Sequence, residues 1–243
     1  MELSNEEPNT NVKKETNKPI EDKLVKSSFY ISYAFLVTTG TITFIEALRT
    51  EIPAMRHILN LETCISIVAA YFYGKFMTQI ETKMNKNEQL EHEDYVELNS
   101  TRYVDWSITT PIMLLVLILA FQYNLGKSGI SFLSYLLILG LNFGMLASGY
   151  FGEQGLISRN NANFVGFLFF GAMYGFIYYK YLFKQRNVTN ELLYAVFFVL
   201  WALYGVFYQL KERIRNVGYN ILDLFSKCFV GIYFWSYSSG IFK

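Results

Sequence analysis

From residue 29 to the C-terminus the chain alternates long apolar runs with short polar stretches, whereas the residues before it show no apolar clustering. The runs fall at about 29–48, 58–79, 103–122, 129–151, 164–183, 190–210 and 219–238. Each is close to the roughly 20 residues that a helix needs to cross a bilayer core. Periodicity does not separate a spanning helix from a buried one, but length and number do, and no soluble fold requires seven such runs. The pattern predicts an all-α membrane protein, a bundle of seven transmembrane helices. The third and fourth runs are the cleanest. The second contains Glu62 and Lys75 and the sixth shades into Gln209-Leu210-Lys211, so their ends are the least defined. Residues 1–27 are polar, of mixed charge and without the apolar core of a signal peptide. They read as a disordered tail outside the membrane, which leaves 28–243 as one seven-helix domain.

Composition removes several functions. With 52% hydrophobic residues and a formal net charge of +1, the chain has no basic footprint for nucleic acid and implies no acidic partner. Cys64 and Cys228, each inside an apolar run, build neither a disulfide framework nor a zinc site, and no metal centre is expected. Loop charge sets an orientation. Lys180, Lys184 and Arg186 follow the fifth run without an acid, whereas Glu88, Glu91, Glu93 and Asp94 help make the loop after the second run acidic. The cationic loop is therefore cytoplasmic, with the N-terminus outside and the C-terminus inside. Lys211, Arg213 and Arg215, read as an outer loop, argue the other way.

Candidate chemistry lies where hydrocarbon is expected, and an ionisable residue inside a span is costly enough to mark function by default. Asp223 and Lys227 in the seventh run are four apart and share a helix face. A lysine in apolar surroundings loses its charge readily and can form a Schiff base with an aldehyde; the alternative is a salt bridge within one helix. In the third run Arg102, Asp105 and Thr109 recur at i, i+3 and i+7, a stripe that has to face the bundle interior. Asp105 can then balance a protonated Schiff base on Lys227. Arg102 would hold that carboxylate ionised, and Thr109 would hydrogen-bond Asp105 or line the proton's path. The plainer alternative is a local Arg-Asp pair at the membrane edge. His57 and His92, at a helix end and in a loop, read as solvated. Asn99-Ser100-Thr101 is a glycosylation sequon abutting the membrane.

The block RYVDWSITTP, from Arg102 to Pro111, resembles the third-helix signature of the microbial rhodopsins, the seven-helix retinal proteins. YNILDLFSKCFVG, which contains Lys227, resembles their seventh-helix signature. Trp201, Tyr204 and Tyr208 are similar to the aromatic set that packs on the retinal polyene, and the stretch from Gly144 to Glu153 resembles the fourth helix of the proteorhodopsin branch. Leu59-Asn60-Leu61-Glu62-Thr63, taken with the proteorhodopsin-like seventh helix, looks like the rhodopsins carried by giant viruses of marine protists. The resemblance covers about residues 29–240. It implies a bundle with all-trans retinal in its core, attached covalently to Lys227, with Asp105 and Asp223 as counter-ions. Its implied pocket holds Trp106, Trp201, Tyr204 and Tyr208, with Met145 and Gly149 beside them. Phe169, Phe170, Tyr174, Tyr178 and Tyr179 in the fifth span could wall the far end of retinal, but aromatic residues in membrane helices are more often packing residues. The resemblance further implies a homo-oligomer in lipid that moves protons or other cations, and not an enzyme.

Two departures from the family pattern bear on mechanism. Outward proton pumps of this family carry a carboxylate eleven residues after the counter-ion aspartate, about 16 Å along the helix and on the same face. Here that residue is Val116, and the family's sixth-helix proline is Gly205. Glu46 and Glu62, near the inner ends of the first two spans, then become candidates for a substitute proton path or for the polar lining of a cation path. The plainer reading puts both at the interface near Arg49 and Arg56. These residues lead first to a light-driven outward proton pump, then to a light-gated cation channel, then to a slow-cycling photosensor. A seven-span receptor without retinal would require the Lys227 match to be accidental.

Overall fold

The computed structural model describes residues 10–84 and 90–241, and their regular structure is helical throughout. The elements are α1 (Thr10–Arg49), α2 (Pro53–Met84), α3 (His92–Asn124), α4 (Phe132–Glu153) and α5 (Arg159–Ile177), which ends in a π-helical turn, Tyr178–Leu182. After α6 (Val188–Tyr208) come α7 (Glu212–Asp223), a second π-helical turn (Leu224–Phe229) and α8 (Val230–Ser239). These last three pieces follow one another without a gap and form the seventh span. The bundle therefore has the seven helices that the apolar runs predict, in the same order.

Five helices are long and apolar enough by themselves to cross a membrane: Lys23–Arg49, His92–Asn124, Phe132–Glu153, Arg159–Leu182 and Val188–Tyr208. α2 and the seventh span are more polar because they turn polar groups inward. Glu62, Thr63 and Ser66 on α2 are buried, as are Arg215, Asn216, Asn220, Asp223 and Lys227 on the seventh span. The outward faces are apolar instead, with Phe132, Leu133 and Leu136 of α4 and Phe164 and Leu168 of α5 exposed. That is the arrangement of a protein whose solvent is lipid.

Helix ends depart from the apolar runs. α1 begins at Thr10, inside the tail expected to be disordered, and residues 1–9 of that tail lie outside the described residues. α3 begins at His92, ahead of its run. Extending a helix that a span has already nucleated costs far less than starting one, and both flanks carry Glu, a good helix former, with Lys as well ahead of the first span. α7 likewise begins at Glu212, so Arg215 is not a loop cation but a fully buried residue of the bundle. One of the three charges that opposed the N-terminus-outside orientation is thereby removed from the loop.

The breaks between helices follow local chemistry. Ser131, Ser158 and Asn187 cap α4, α5 and α6, each side chain accepting from the backbone N–H three residues on. Gly155 takes a φ of 71° in the turn between α4 and α5, a conformation that costs glycine nothing. Packing divides the interior by composition. Met55, Leu59, Leu114, Val116, Leu117 and Phe197 belong to an apolar cluster that fills the end of the bundle holding Val116. Phe29, Tyr73, Phe76 and Leu98 join α1, α2 and α3 toward the Arg102 end. The buried charges lie between and beyond these clusters.

Candidate functional site

α3 and the seventh span face one another across the middle of the bundle and carry the ionisable groups. Lys227, 1% exposed, donates from Nζ to Oδ2 of Asp105 at 2.9 Å and lies 3.4 Å from Oδ2 of Asp223. The local salt bridge within one helix and the cross-helix counter-ion pair therefore coexist. Lys227 stands on the π-helical turn Leu224–Phe229, an irregularity of a kind that recurs at functional sites.

The two carboxylates have different surroundings. Asp223 accepts from the Tyr73 hydroxyl at 2.8 Å and the Tyr204 hydroxyl at 2.5 Å, and Nη1 of Arg102 lies 3.7 Å away. Asp105 spends one oxygen on Lys227, and its Oδ1 is buried without a hydrogen-bond partner among the described residues. Asp223 is thus met by two hydroxyls and a guanidinium besides the lysine, whereas Asp105 has a single strong partner, the lysine.

Arg102 does not hold Asp105, as the stripe on α3 led us to expect. Its guanidinium crosses to the seventh span, donating to Oδ1 of Asn220 at 2.9 Å and of Asn216 at 3.3 Å and pairing with Asp223. Those three acceptors recur at helical spacing on one face of the facing span, so they outnumber anything α3 offers on its own surface. Phe76, Phe29 and Tyr219 lie 5.0, 5.3 and 5.4 Å from the guanidinium and shield it in a cation–π cage. Thr109 hydrogen-bonds Asp105, one of its expected roles, but through the backbone. Its hydroxyl donates to the backbone carbonyl of Asp105 at 2.9 Å, the ordinary bond of a threonine within a helix, and does not reach the carboxylate.

A largely apolar cavity begins at Lys227 and Asp223. Trp106, Trp201, Tyr204, Tyr208, Met145 and Gly149 all line it, as the resemblance implied. Gly149 lets Tyr103 approach closely there, because a Cβ at that position would come within 2.4 Å of the Tyr103 hydroxyl and displace it. Thr110, Phe167, Phe170 and Tyr219 complete much of the wall. Of the five fifth-span aromatics weighed earlier only Phe170 lines the cavity, while Tyr174 packs behind it against Trp201. Gly205 has a packing role: a Cβ there would lie 2.6 Å from the Phe167 ring, which would have to shift to admit proline or any larger residue.

Away from the cavity, Glu62 is 2% exposed and Glu46 5%. Burial removes the interfacial reading of both, and Arg56 is engaged with the Thr50 carbonyl instead. Glu46 accepts from the Ser238 hydroxyl at 3.0 Å. Glu62 reaches α8, where its Oε2 would be 3.3 Å from a Cβ at Gly231. Val116 is fully buried in the apolar cluster, as a residue unable to carry a proton would be. His57 and His92 are both exposed, as expected, and His92 opens α3 and hydrogen-bonds Glu212. Asn99 is no glycosylation site in this fold, being 2% exposed and donating to Glu153 at 2.8 Å. Tyr73, Asn216, Asn220, Glu153 and Arg215 are the site residues that sequence reasoning missed. Only their polarity within spans could have marked them.

Comparison with known proteins agrees with this geometry. The family model described as "Bacteriorhodopsin-like protein" matches residues 23–240. Opsin-1 of Neurospora crassa is 25% identical over 236 residues, covering 86% of this chain and 74% of that protein. The crystal structure of the viral rhodopsin OLPVRII is 55% identical and superposes with a TM-score of 0.81 over 90% of this chain and all of that one. That likeness accords with the viral, proteorhodopsin-like motifs read above. The blue light-absorbing proteorhodopsin from Med12, at 20% identity and a TM-score of 0.67 over 89% of this chain and 97% of that one, shares the fold. A seven-helix bundle, a lysine flanked by two carboxylates at an aromatic cavity and a family match over nearly the whole chain lead to one conclusion: this chain belongs to the bacteriorhodopsin-like family of microbial rhodopsins, integral membrane proteins that generally bind retinal through a lysine.

Proposed function

We propose that this chain is a light-driven outward proton pump carrying all-trans retinal covalently on Lys227, with its N-terminus outside and its C-terminus in the cytoplasm. The residues fit that group. Lys227 lines the cavity, two carboxylates can balance a positive charge there, and Trp106 and Trp201 add aromatic wall suited to a polyene. When bound, retinal supplies the photochemistry, an isomerisation that changes the surroundings of the nitrogen it is joined to.

The protein's part is placement and fields. Asp105, 2.9 Å from Nζ and with its second oxygen free of donors, accepts the proton held at that nitrogen. Asp223, bonded by Tyr73 and Tyr204 and paired with Arg102, is the second carboxylate facing the nitrogen. Arg102 lies one turn outward of Asp105, so the proton leaves toward the N-terminal side.

Refilling the nitrogen needs an acid on the other side, and Val116 is none. Gly231 is one turn beyond Lys227 on the same span, about 6 Å along its axis, and Glu62 lies against it. Thr43 and Thr63, whose hydroxyls are 2.9 Å apart, and Thr39 and Ser66 are buried nearby on α1 and α2. Glu62 is accordingly the proton donor, reached from the cytoplasm past Glu46 and Ser238.

The carrying observation is the 2.9 Å contact of Lys227 with Asp105, with a buried carboxylic acid one turn inward of the lysine. Photocurrents in retinal-supplied cells, scanned across membrane potential and external pH, test it. A pump gives an outward current that does not reverse. The hydroxyl-lined seam between α1 and α2 favours one other reading, a light-gated cation channel, which would give a current reversing at an ion's equilibrium potential.

A further inference from the structure

Beyond the cavity, at the Arg102 end, lies a further buried ion pair, one that the mechanism above does not use. Arg215 is fully buried and Glu153 6% exposed. The guanidinium donates with both terminal nitrogens to the two carboxylate oxygens, each at 3.1 Å, a two-pronged contact of the strong kind. Asn99 donates to the same carboxylate at 2.8 Å, and Nη2 of Arg159 lies 3.8 Å from it at the rim. One carboxylate thus ties together α3, α4, α5 and α7.

The neighbouring backbone shows where the knot sits. Gly152 precedes Glu153, and a Cβ there would lie 2.3 Å from the Tyr208 hydroxyl and 2.4 Å from the Ala162 side chain. Tyr208 and Ala162 both line the cavity, so this part of α4 is pressed against the cavity's end wall. Tyr208 is fixed from two further directions: its hydroxyl donates to the Gly149 carbonyl at 3.0 Å, and Arg159 lies over its ring at 5.6 Å. Gly152 allows the approach, and the charge cluster behind it holds the approach in place.

We propose that the Glu153–Arg215 pair is the extracellular seal of the chromophore cavity, a positioning pair that keeps bulk water and water-borne reagents from the Lys227 linkage in the dark. This rests on the reading that Lys227 carries retinal. Removing one partner of a buried pair leaves an uncompensated charge that draws in water, and local opening at that point becomes more frequent.

The test is the rate at which hydroxylamine bleaches the pigment in darkness, measured on the full chain reconstituted with retinal. Glu153→Gln and Arg215→Gln should each bleach about tenfold faster than the unaltered protein, since weakening a local closure by 1.4 kcal/mol corresponds to tenfold more opening. Their absorption maxima should stay where they were, because neither residue touches the cavity. If a lone buried charge prevents folding, Arg215→Lys carries the test: it keeps the charge and loses the two-pronged contact. Faster bleaching of that pigment supports the seal. Bleaching at the unaltered rate, in the single variants or in Arg215→Lys, overturns it. Failure of the underlying reading looks different, since the unaltered chain would then form no visible pigment with retinal.

Discussion

The two ends of the bundle on either side of Lys227 are built from opposite materials. Toward Arg102 the interior is dense in charge: Arg102, Asp223, Arg215 and Glu153 are all buried, and each finds partners on a facing helix. Toward Val116 it is hydrocarbon, closed by Leu114, Val116, Leu117 and Phe197, with Glu62 and Glu46 set to one side on α2 and α1. A proton on Lys227 therefore meets a waiting carboxylate at 2.9 Å on one side and an apolar plug on the other. For the pump proposed above, the direction of transport would follow from that contrast, since charge transfer follows the side where acceptors are preorganised.

The largest effect should come from the residue both ends share. Lys227→Ala is expected to abolish covalent pigment formation, read as absence of visible absorption after retinal addition; a covalent pigment in that variant would remove the lysine from its role. On the charged side, Asp105→Asn should red-shift the absorption and slow proton transfer from the lysine nitrogen by about a hundredfold or more, the range for losing a positioned acid or base. An unchanged flash response would sink the assignment.

On the dry side, Glu62→Gln should leave colour unchanged and slow recovery of the dark absorption after a flash by roughly 10². Adding Val116→Asp to that variant should restore part of the speed by placing a carboxylate in the apolar plug. If recovery in Glu62→Gln matches the unaltered protein, the proton enters by another route.

The smallest effect concerns the surface. Glu81 accepts a hydrogen bond from Tyr30 and pairs with Lys26 at 3.3 Å, which together hold its carboxyl below the ordinary value of 4.5. A carboxyl depressed in the folded state contributes stability above its unfolded value and loses it as pH falls through the folded one. Glu81→Gln should therefore lower the melting temperature slightly at neutral pH, with the difference vanishing in acid. A difference that persists below pH 3 would show that the contribution is not electrostatic.

Legibility in the sequence followed distance along the chain. The spans were legible because hydrocarbon imposes length and composition on a contiguous run. Asp105 and Trp106 were legible as one block, as were Asp223 and Lys227, because neighbours on one helix keep their spacing. Arg102 was recognised, yet its partner was misassigned, since Asn216 and Asn220 lie more than a hundred residues away and asparagines carry no signature. Arg215 was read as a loop charge because the start of α7 is amphipathic, with half its surface polar enough to pass for a connection. Its partner Glu153 is 62 residues distant, and nothing local announces the pair.

The sequence by itself determined that this is a seven-helix membrane protein with a lysine and two carboxylates in its core, because burying those groups in lipid is too costly to be accidental. Lys227 was expected to face Asp105, but only the tertiary structure decided the other partners: Arg102 to Asp223 and Arg215 to Glu153. Pairing across helices depends on how side chains reach over the packed interface, and in a low-dielectric interior the partner within hydrogen-bond reach dominates all others.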